Sequence, residues 1–81
     1  MVTGVQYHYA GTANLVATSF TGSTEGSEIV VFIEGADGAH TFTFPSAKRL
    51  GSTDTADTVI TPTAGNHVFM FKLVNGTWYY S

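Results

Sequence analysis

The chain has 81 residues, no cysteine and a formal net charge of −3, with charged residues at 11% and apolar residues at 43%. Disulfides and cysteine-based zinc sites are excluded, and Lys48, Arg49 and Lys72 are too few cations to neutralise a nucleic-acid backbone. A single domain spanning 1–81 is expected, of a size that usually leans on disulfides, metals or oligomerisation.

Thirteen threonines, with many valines, isoleucines and aromatics, point to strands. No window holds a sustained 3.6-residue period with caps, so an all-β domain is expected. Val5 to Ala10 is the first expected strand and Asn14 to Phe20 the second, with Gly11-Thr12 suited to a type II′ turn between them. Residues 1–10 are read as an arm or an added strand. Thr21-Gly-Ser-Thr-Glu-Gly-Ser27 is a polar loop with nothing in it to pack.

Glu28-Ile-Val-Val-Phe-Ile-Glu34 is the third expected strand, bounded by charges. Asp37-Gly38 follows as a hairpin signal. As a two-residue turn it pairs Ala36 with Ala39, Ile33 with Phe42 and Val31 with Phe44. One face then carries Ile29, Val31, Ile33, Phe42 and Phe44, and the other Val30, Phe32, Glu34, Thr41 and Thr43. Pro45 is expected to end the fourth strand, since it cannot donate to a ladder. Ser46 to Asp57 reads as a polar loop. Thr58 to Thr61 is a short strand stopped by Pro62, and Thr63-Ala-Gly-Asn66 is a turn.

Asn75-Gly76 is the strongest hairpin signal, because a type I′ turn needs positive φ at both central residues. The register follows: Val74 faces Thr77, Leu73 faces Trp78, Lys72 faces Tyr79 and Phe71 faces Tyr80. Phe69, Phe71, Leu73, Trp78 and Tyr80 share one face. Val68, Met70, Lys72, Val74, Thr77 and Tyr79 share the other, which is too apolar for a solvent face. A one-residue slip would mix the faces of either hairpin. The expected architecture is a small antiparallel β-sandwich or flattened barrel of about seven strands.

Residue types that carry chemistry are dispersed. His8, His40 and His67 fall on separate segments without the i, i+2 or i, i+4 spacing that presets metal ligands; a ring of one histidine per subunit on a three-fold axis is the surviving variant. No Gly-x-Ser-x-Gly elbow is present. Asp54-x-x-Asp57 lacks the dense oxygen spacing of a calcium loop. No enzyme activity, cofactor or metal is expected. Tyr7, Tyr9, Trp78, Tyr79 and Tyr80 pair stacking faces with polar tips and could form a sugar platform, with Tyr79 beside Lys72 the best placed. Glu28, Glu34 and Lys72 flank apolar strands and discourage open-ended sheet association.

From Val59-Ile-Thr-Pro-Thr-Ala-Gly-Asn-His-Val-Phe-Met-Phe-Lys-Leu-Val-Asn-Gly-Thr-Trp-Tyr79 the chain resembles a C-terminal pattern of tailed-phage virion proteins, the β-domains of tail fibres and of capsid decoration proteins. Its grammar is an Ile/Val-Thr strand, an Ala-Gly-Asn turn, an aromatic strand, a Gly turn and a Trp closing strand. Gly35-Ala-Asp-Gly-Ala-His-Thr-Phe-Thr-Phe44 is similar to the hairpin preceding it in such domains. The resemblance covers about the last fifty residues, and the first twenty-five match nothing in it.

The resemblance implies a non-enzymatic virion protein, commonly a homotrimer. Fibre proteins usually carry a long shaft, and this chain begins at Met1 without one, so a decoration (cement) subunit on the major capsid protein is the expectation. A tail-fibre-type receptor- or carbohydrate-binding module is the alternative. Val30, Phe32, Met70, Val74 and Tyr79 are the expected subunit or capsid contacts, with Tyr7 and Tyr9 in the N-terminal segment. Met-Val-Thr-Gly has no basic or hydrophobic leader and no apolar run reaches membrane-spanning length. The chain is therefore expected to be a complete product made in a host cytoplasm and destined for the virion, with no membrane or nucleic-acid partner.

Overall fold

The computed structural model describes residues 1–22, 24–51 and 55–81. Seven strands follow one another: β1 (Gln6–Ala10), β2 (Leu15–Val16), β3 (Glu28–Ala36), β4 (Phe42–Arg49), β5 (Ala56–Ile60), β6 (Gly65–Val74) and β7 (Thr77–Tyr80). They form one sheet in the order β1-β3-β6-β7-β4-β2, with β5 on the other side of β4, rolled into a nearly closed barrel. The all-β class and the strand number agree with the sequence. The sheet is mixed rather than antiparallel: β1 with β3, β2 with β4 and β4 with β7 are parallel pairs.

The C-terminal hairpin forms in the expected register, Val74↔Thr77, Leu73↔Trp78, Lys72↔Tyr79 and Phe71↔Tyr80. Asn75 and Gly76 both take positive φ, 50° and 74°, as a type I′ turn requires. The Asp37-Gly38 hairpin does not form. β3 pairs with β1 and β6, whereas β4 pairs with β2, β5 and β7. Asp37 Oδ1 instead accepts from the N–H groups of Ala39 and His40, an Asx-type turn that carries the chain across the barrel.

Gly11-Thr12 likewise joins two strands that pair elsewhere, β1 on β3 and β2 on β4. Gly11 is required by packing: a Cβ there would lie 2.4 Å from Ala36 Cα. Pro45 does not end β4. The β4–β5 register shifts between Thr43 and Ala47, so Pro45 sits in a bulge where no ladder N–H is demanded. Ser46–Arg49 and Ala56–Asp57, expected as loop, are strand.

The interior is filled by Ile29, Val31 and Ile33 of β3, Phe42, Phe44 and Ala47 of β4, Phe71 and Leu73 of β6, and Tyr80 of β7. Phe42 and Phe71 are fully buried, and their rings meet nearly edge-to-face at 5.9 Å. Phe44 packs on Phe71 and Tyr80 at 5.1 and 5.2 Å. Removing each such side chain from water stabilises the fold by about 1.5–3 kcal/mol. Every residue assigned to the two inner faces from the sequence is buried or half-buried. Parity along a strand fixes the face, whichever neighbour the strand takes.

The N-terminus is tied into the barrel. The Met1 ammonium donates to Ser19 O, and Val2 bridges Thr21 in parallel. β1 is thus a strand laid on β3 within its own chain.

Candidate functional site

The outer face of β1, β3, β6 and β7 is built from cross-strand rows. Register places Gln6 beside Val30 and Val30 beside Met70; His8 beside Phe32 and Phe32 beside Val68. The next row runs Glu28–Lys72–Tyr79–Lys48. Val30, Phe32, Val68 and Met70 thereby form one apolar strip. Val68 is 59% exposed and Met70 40%, while Val30 and Phe32 are half-buried. A shallow hollow of about 580 Å³ lies over the strip, between Gln6 and His8 of β1 and Val68 of β6.

A histidine–carboxylate pair bounds the strip at one end and an ion pair at the other. His8 Nε2 lies 3.5 Å from Glu34 Oε2, and Lys72 Nζ lies 3.4 Å from Glu28 Oε1. These exposed pairs contribute about 0–1 kcal/mol each to stability. Their effect is on the surface: Lys72 and Glu28 partly neutralise each other at one end, and the His8 ring stands beside the Glu34 carboxylate at the other. The His8 ring meets Phe32 edge-on at 4.9 Å.

Five of the expected contact residues share this outer face: Val30, Phe32, Met70, Val74 and Tyr79. Val74 is exposed beside the hairpin turn, where the Glu25 carboxylate accepts from the Asn75 N–H. Tyr79 is half-buried in register with Lys72 and Lys48. Tyr7 and Tyr9 lie elsewhere. Their parity matches Val31 and Ile33, so both point to the core side, with rings stacked at 6.3 Å and the Tyr7 hydroxyl accepting from Val2 N–H. They do not form a platform with Tyr79. Gln6, His8 and Val68 complete the outer face. The period-2 alternation of β1 contained the signal for Gln6 and His8, but only its pairing with β3 puts them beside Val30 and Phe32.

The three histidines are apart. His40 Nδ1 lies 2.5 Å from Asp37 Oδ2, and backbone N–H donors to Asp37 hold its carboxyl below the ordinary 3.8. His67 Nε2 donates to Thr63 O at 2.8 Å, and its ring stacks on Phe69 at 5.7 Å. Among the described residues no three His, Asp or Glu side chains converge on a metal position. Asp54 lies outside the described residues. Asp57 accepts from the Tyr80 hydroxyl, and burial together with that bond pushes the phenol up to about 12.

A second concavity, about 310 Å³, opens where β6 runs past the end of β7. Arg49, Thr61, Thr63, His67, Phe69 and Tyr80 line it. It joins a stacked aromatic pair to two threonines and a cation.

No protein-family model matches this chain, and no curated protein or solved structure matches it.

Proposed function

We propose that this domain is a structural component of a tailed-phage particle, an oligomeric decoration subunit that binds the capsid lattice and stabilises it. The observation that carries the reading is the apolar strip of Val30, Phe32, Val68 and Met70, standing on the sheet between the His8–Glu34 pair and the Lys72–Glu28 ion pair. The virion assignment draws on the resemblance over residues 59–79. The mechanism is physical. Apolar surface buried against a neighbour contributes about 25 cal/mol per Å² as an upper guide. Binding only the assembled lattice stabilises that state by linkage.

Sedimentation of the purified protein with empty capsids, compared with purified tails, tests this. Co-sedimentation with capsids is expected, and Val68→Asp is expected to abolish it while leaving the fold intact, because Val68 is exposed. Free migration at saturating concentration would sink the reading.

The glycan-binding alternative has its own observation in the cleft at His67 and Phe69. Stacked aromatic faces beside threonine hydroxyls and Arg49 suit a pyranose ring. Glycan binding lost in Arg49→Ala but kept in Val68→Asp would favour it over the decoration reading.

A further inference from the structure

Among the described residues, β1 is an edge strand whose only strand neighbour is β3. Natural edges are usually guarded by lysine, inward charges, proline or a bulge. Gln6–Ala10 has none of these, and its register with β3 is unbroken. β5, off the main strand order beside β4, differs: it carries Asp57 and is followed by Pro62.

In a parallel ladder, alternate residues turn both backbone groups to the same neighbour. Gly11 N–H donates to Glu34 O at 2.7 Å, so Tyr9 and Tyr7 turn theirs to β3. Gln6, His8 and Ala10 turn theirs to the open edge, and all three are exposed.

The sequence of this edge is symmetric about His8: Tyr7-His8-Tyr9. From this geometry we propose that two copies of the chain associate through antiparallel pairing of β1 with β1, about a two-fold axis beside His8. Centred there, Gln6 faces Ala10 of the second copy, His8 faces its equivalent and Ala10 faces Gln6. All three are hydrogen-bonded pairs, and they use the outward backbone groups without remainder. On the inner side, Tyr7 of each copy falls opposite Tyr9 of the other at a non-hydrogen-bonded pair, where side chains approach most closely. The existing Tyr7–Tyr9 stack then becomes half of a four-ring cluster. On the outer side the His8–Phe32–Val68 rows of the two copies join end to end.

No like charges are opposed in this register. Glu34 is separated from Gln6 of the second copy only by the small Ala10, which leaves the carboxylate room to accept from the Gln6 amide. The closure is two-fold, unlike the three-fold arrangement the resemblance implies, because a strand that reads the same from both ends pairs with itself and leaves no edge to continue. This inference is independent of the particle assigned above.

Sedimentation velocity and oxidative cross-linking test it on the whole chain. The wild type is expected to move from one to two chain masses, the single chain being 8.6 kDa, as concentration rises. His8→Pro removes an outward N–H that β3 does not use, so the barrel stays folded by circular dichroism and association weakens roughly tenfold to a hundredfold. His8→Lys and His8→Glu are each expected to be monomeric alone and to dimerise when mixed. The chain is free of cysteine, so His8→Cys reports proximity directly. A hydrogen-bonded antiparallel pair sets Cα atoms about 5.5 Å apart, within disulfide reach, and a covalent dimer is expected, while Thr58→Cys on β5 stays monomeric. A wild type that remains a monomer at hundreds of micromolar overturns the proposal. So does a three-chain mass, or a His8→Cys chain that fails to cross-link.

Discussion

Asn75-Gly76 and Asp37-Gly38 are the same kind of dipeptide between the same kind of strands, yet only the first makes a hairpin. At Asn75-Gly76 both residues take left-handed φ. At Asp37-Gly38 only Gly38 has positive φ, 78°, and the Asp37 carboxylate is spent on the N–H groups of Ala39 and His40. Just before it, β3 slips register on β6 between Ile33 and Ala36. The lesson is that an Asx-Gly pair specifies a turn. Whether the turn returns the strand on itself depends on how the side chain is used and on what else competes for the strand edge. Here β6 and β1 hold both edges of β3, and β4 is left to other partners.

The two turns nonetheless feed one core, and the largest test breaks it from either side. Phe71 precedes the hairpin turn and Phe42 follows the Asx turn; both are fully buried. Phe71→Ala and Phe42→Ala are each expected to cost about 3–5 kcal/mol in denaturant unfolding. A domain of this size has only about 0.05–0.15 kcal/mol per residue, roughly 4–12 kcal/mol in all, so either variant is expected to lose a large share of its stability. A mild effect of Phe42→Ala alone would mean that the Asx-turn half is a loosely attached flap.

Tyr80 offers the next largest effect, because it ties the hairpin to β5 through Asp57. Its phenol titrates near 12 rather than 10 in the folded chain. The folded state therefore holds this proton more tightly than the unfolded state does. The stabilisation is complete below the unfolded value and is lost as pH rises through the window from 10 to about 12. Water at the part-buried hydroxyl screens the effect, so at most about 2 kcal/mol is expected to disappear across that window. Chemical denaturation at stepped alkaline pH measures it, and Tyr80→Phe should flatten the alkaline limb.

These residues also mark how far the sequence could be read. Strand parity was legible, since alternation assigns Ile29, Val31, Ile33, Phe42, Phe44, Phe71 and Tyr80 to the inside whatever strand lies next to them. Pairing was legible only where it is local, at the C-terminal hairpin. The parallel pairs β1–β3 and β4–β7 join segments distant in sequence and leave no turn to announce them. Pro45 looked like a terminus because a bulge can only be recognised once the partner strand is known. The same reasoning covers the candidate site. Val30, Phe32, Met70, Val74 and Tyr79 followed from parity. Tyr7 and Tyr9 are expected as contacts on the reading of residues 1–10 as an arm; laid on β3 as a barrel strand, the same residues turn their rings to the inner face.

A smaller effect separates the two turns directly. Gly76 sits at φ 74° and Gly38 at φ 78°, so alanine at either position is expected to cost about 1–2 kcal/mol. Asn75→Ala adds a test with no counterpart at the other turn: a second left-handed residue must now be alanine, at about 1 kcal/mol. Urea midpoints of the three variants check this. A neutral Asn75→Ala would mean that the hairpin does not depend on type I′ geometry.

The smallest effect is the most specific to the Asx turn. Backbone N–H donors from Ala39 and His40, with the adjacent His40 ring, hold the Asp37 carboxyl below its ordinary 3.8. The sign follows from which form the fold prefers. The ionised carboxylate is favoured in the folded chain, so its contribution is present above the unfolded value and fades as pH falls below 3.8 toward the lower folded value. Asp37→Asn keeps an oxygen to accept from Ala39 and His40 but cannot titrate. Its melting temperature at neutral pH is expected to stay close to that of the wild type, and its acid limb is expected to be shallower below pH 4. Asn75→Ala, at the other turn, removes no titrating group and is expected to leave the acid limb as it is. If Asp37→Asn leaves the acid limb unchanged as well, the two turns are alike in this respect, and the contrast between capping and left-handed geometry loses its energetic basis.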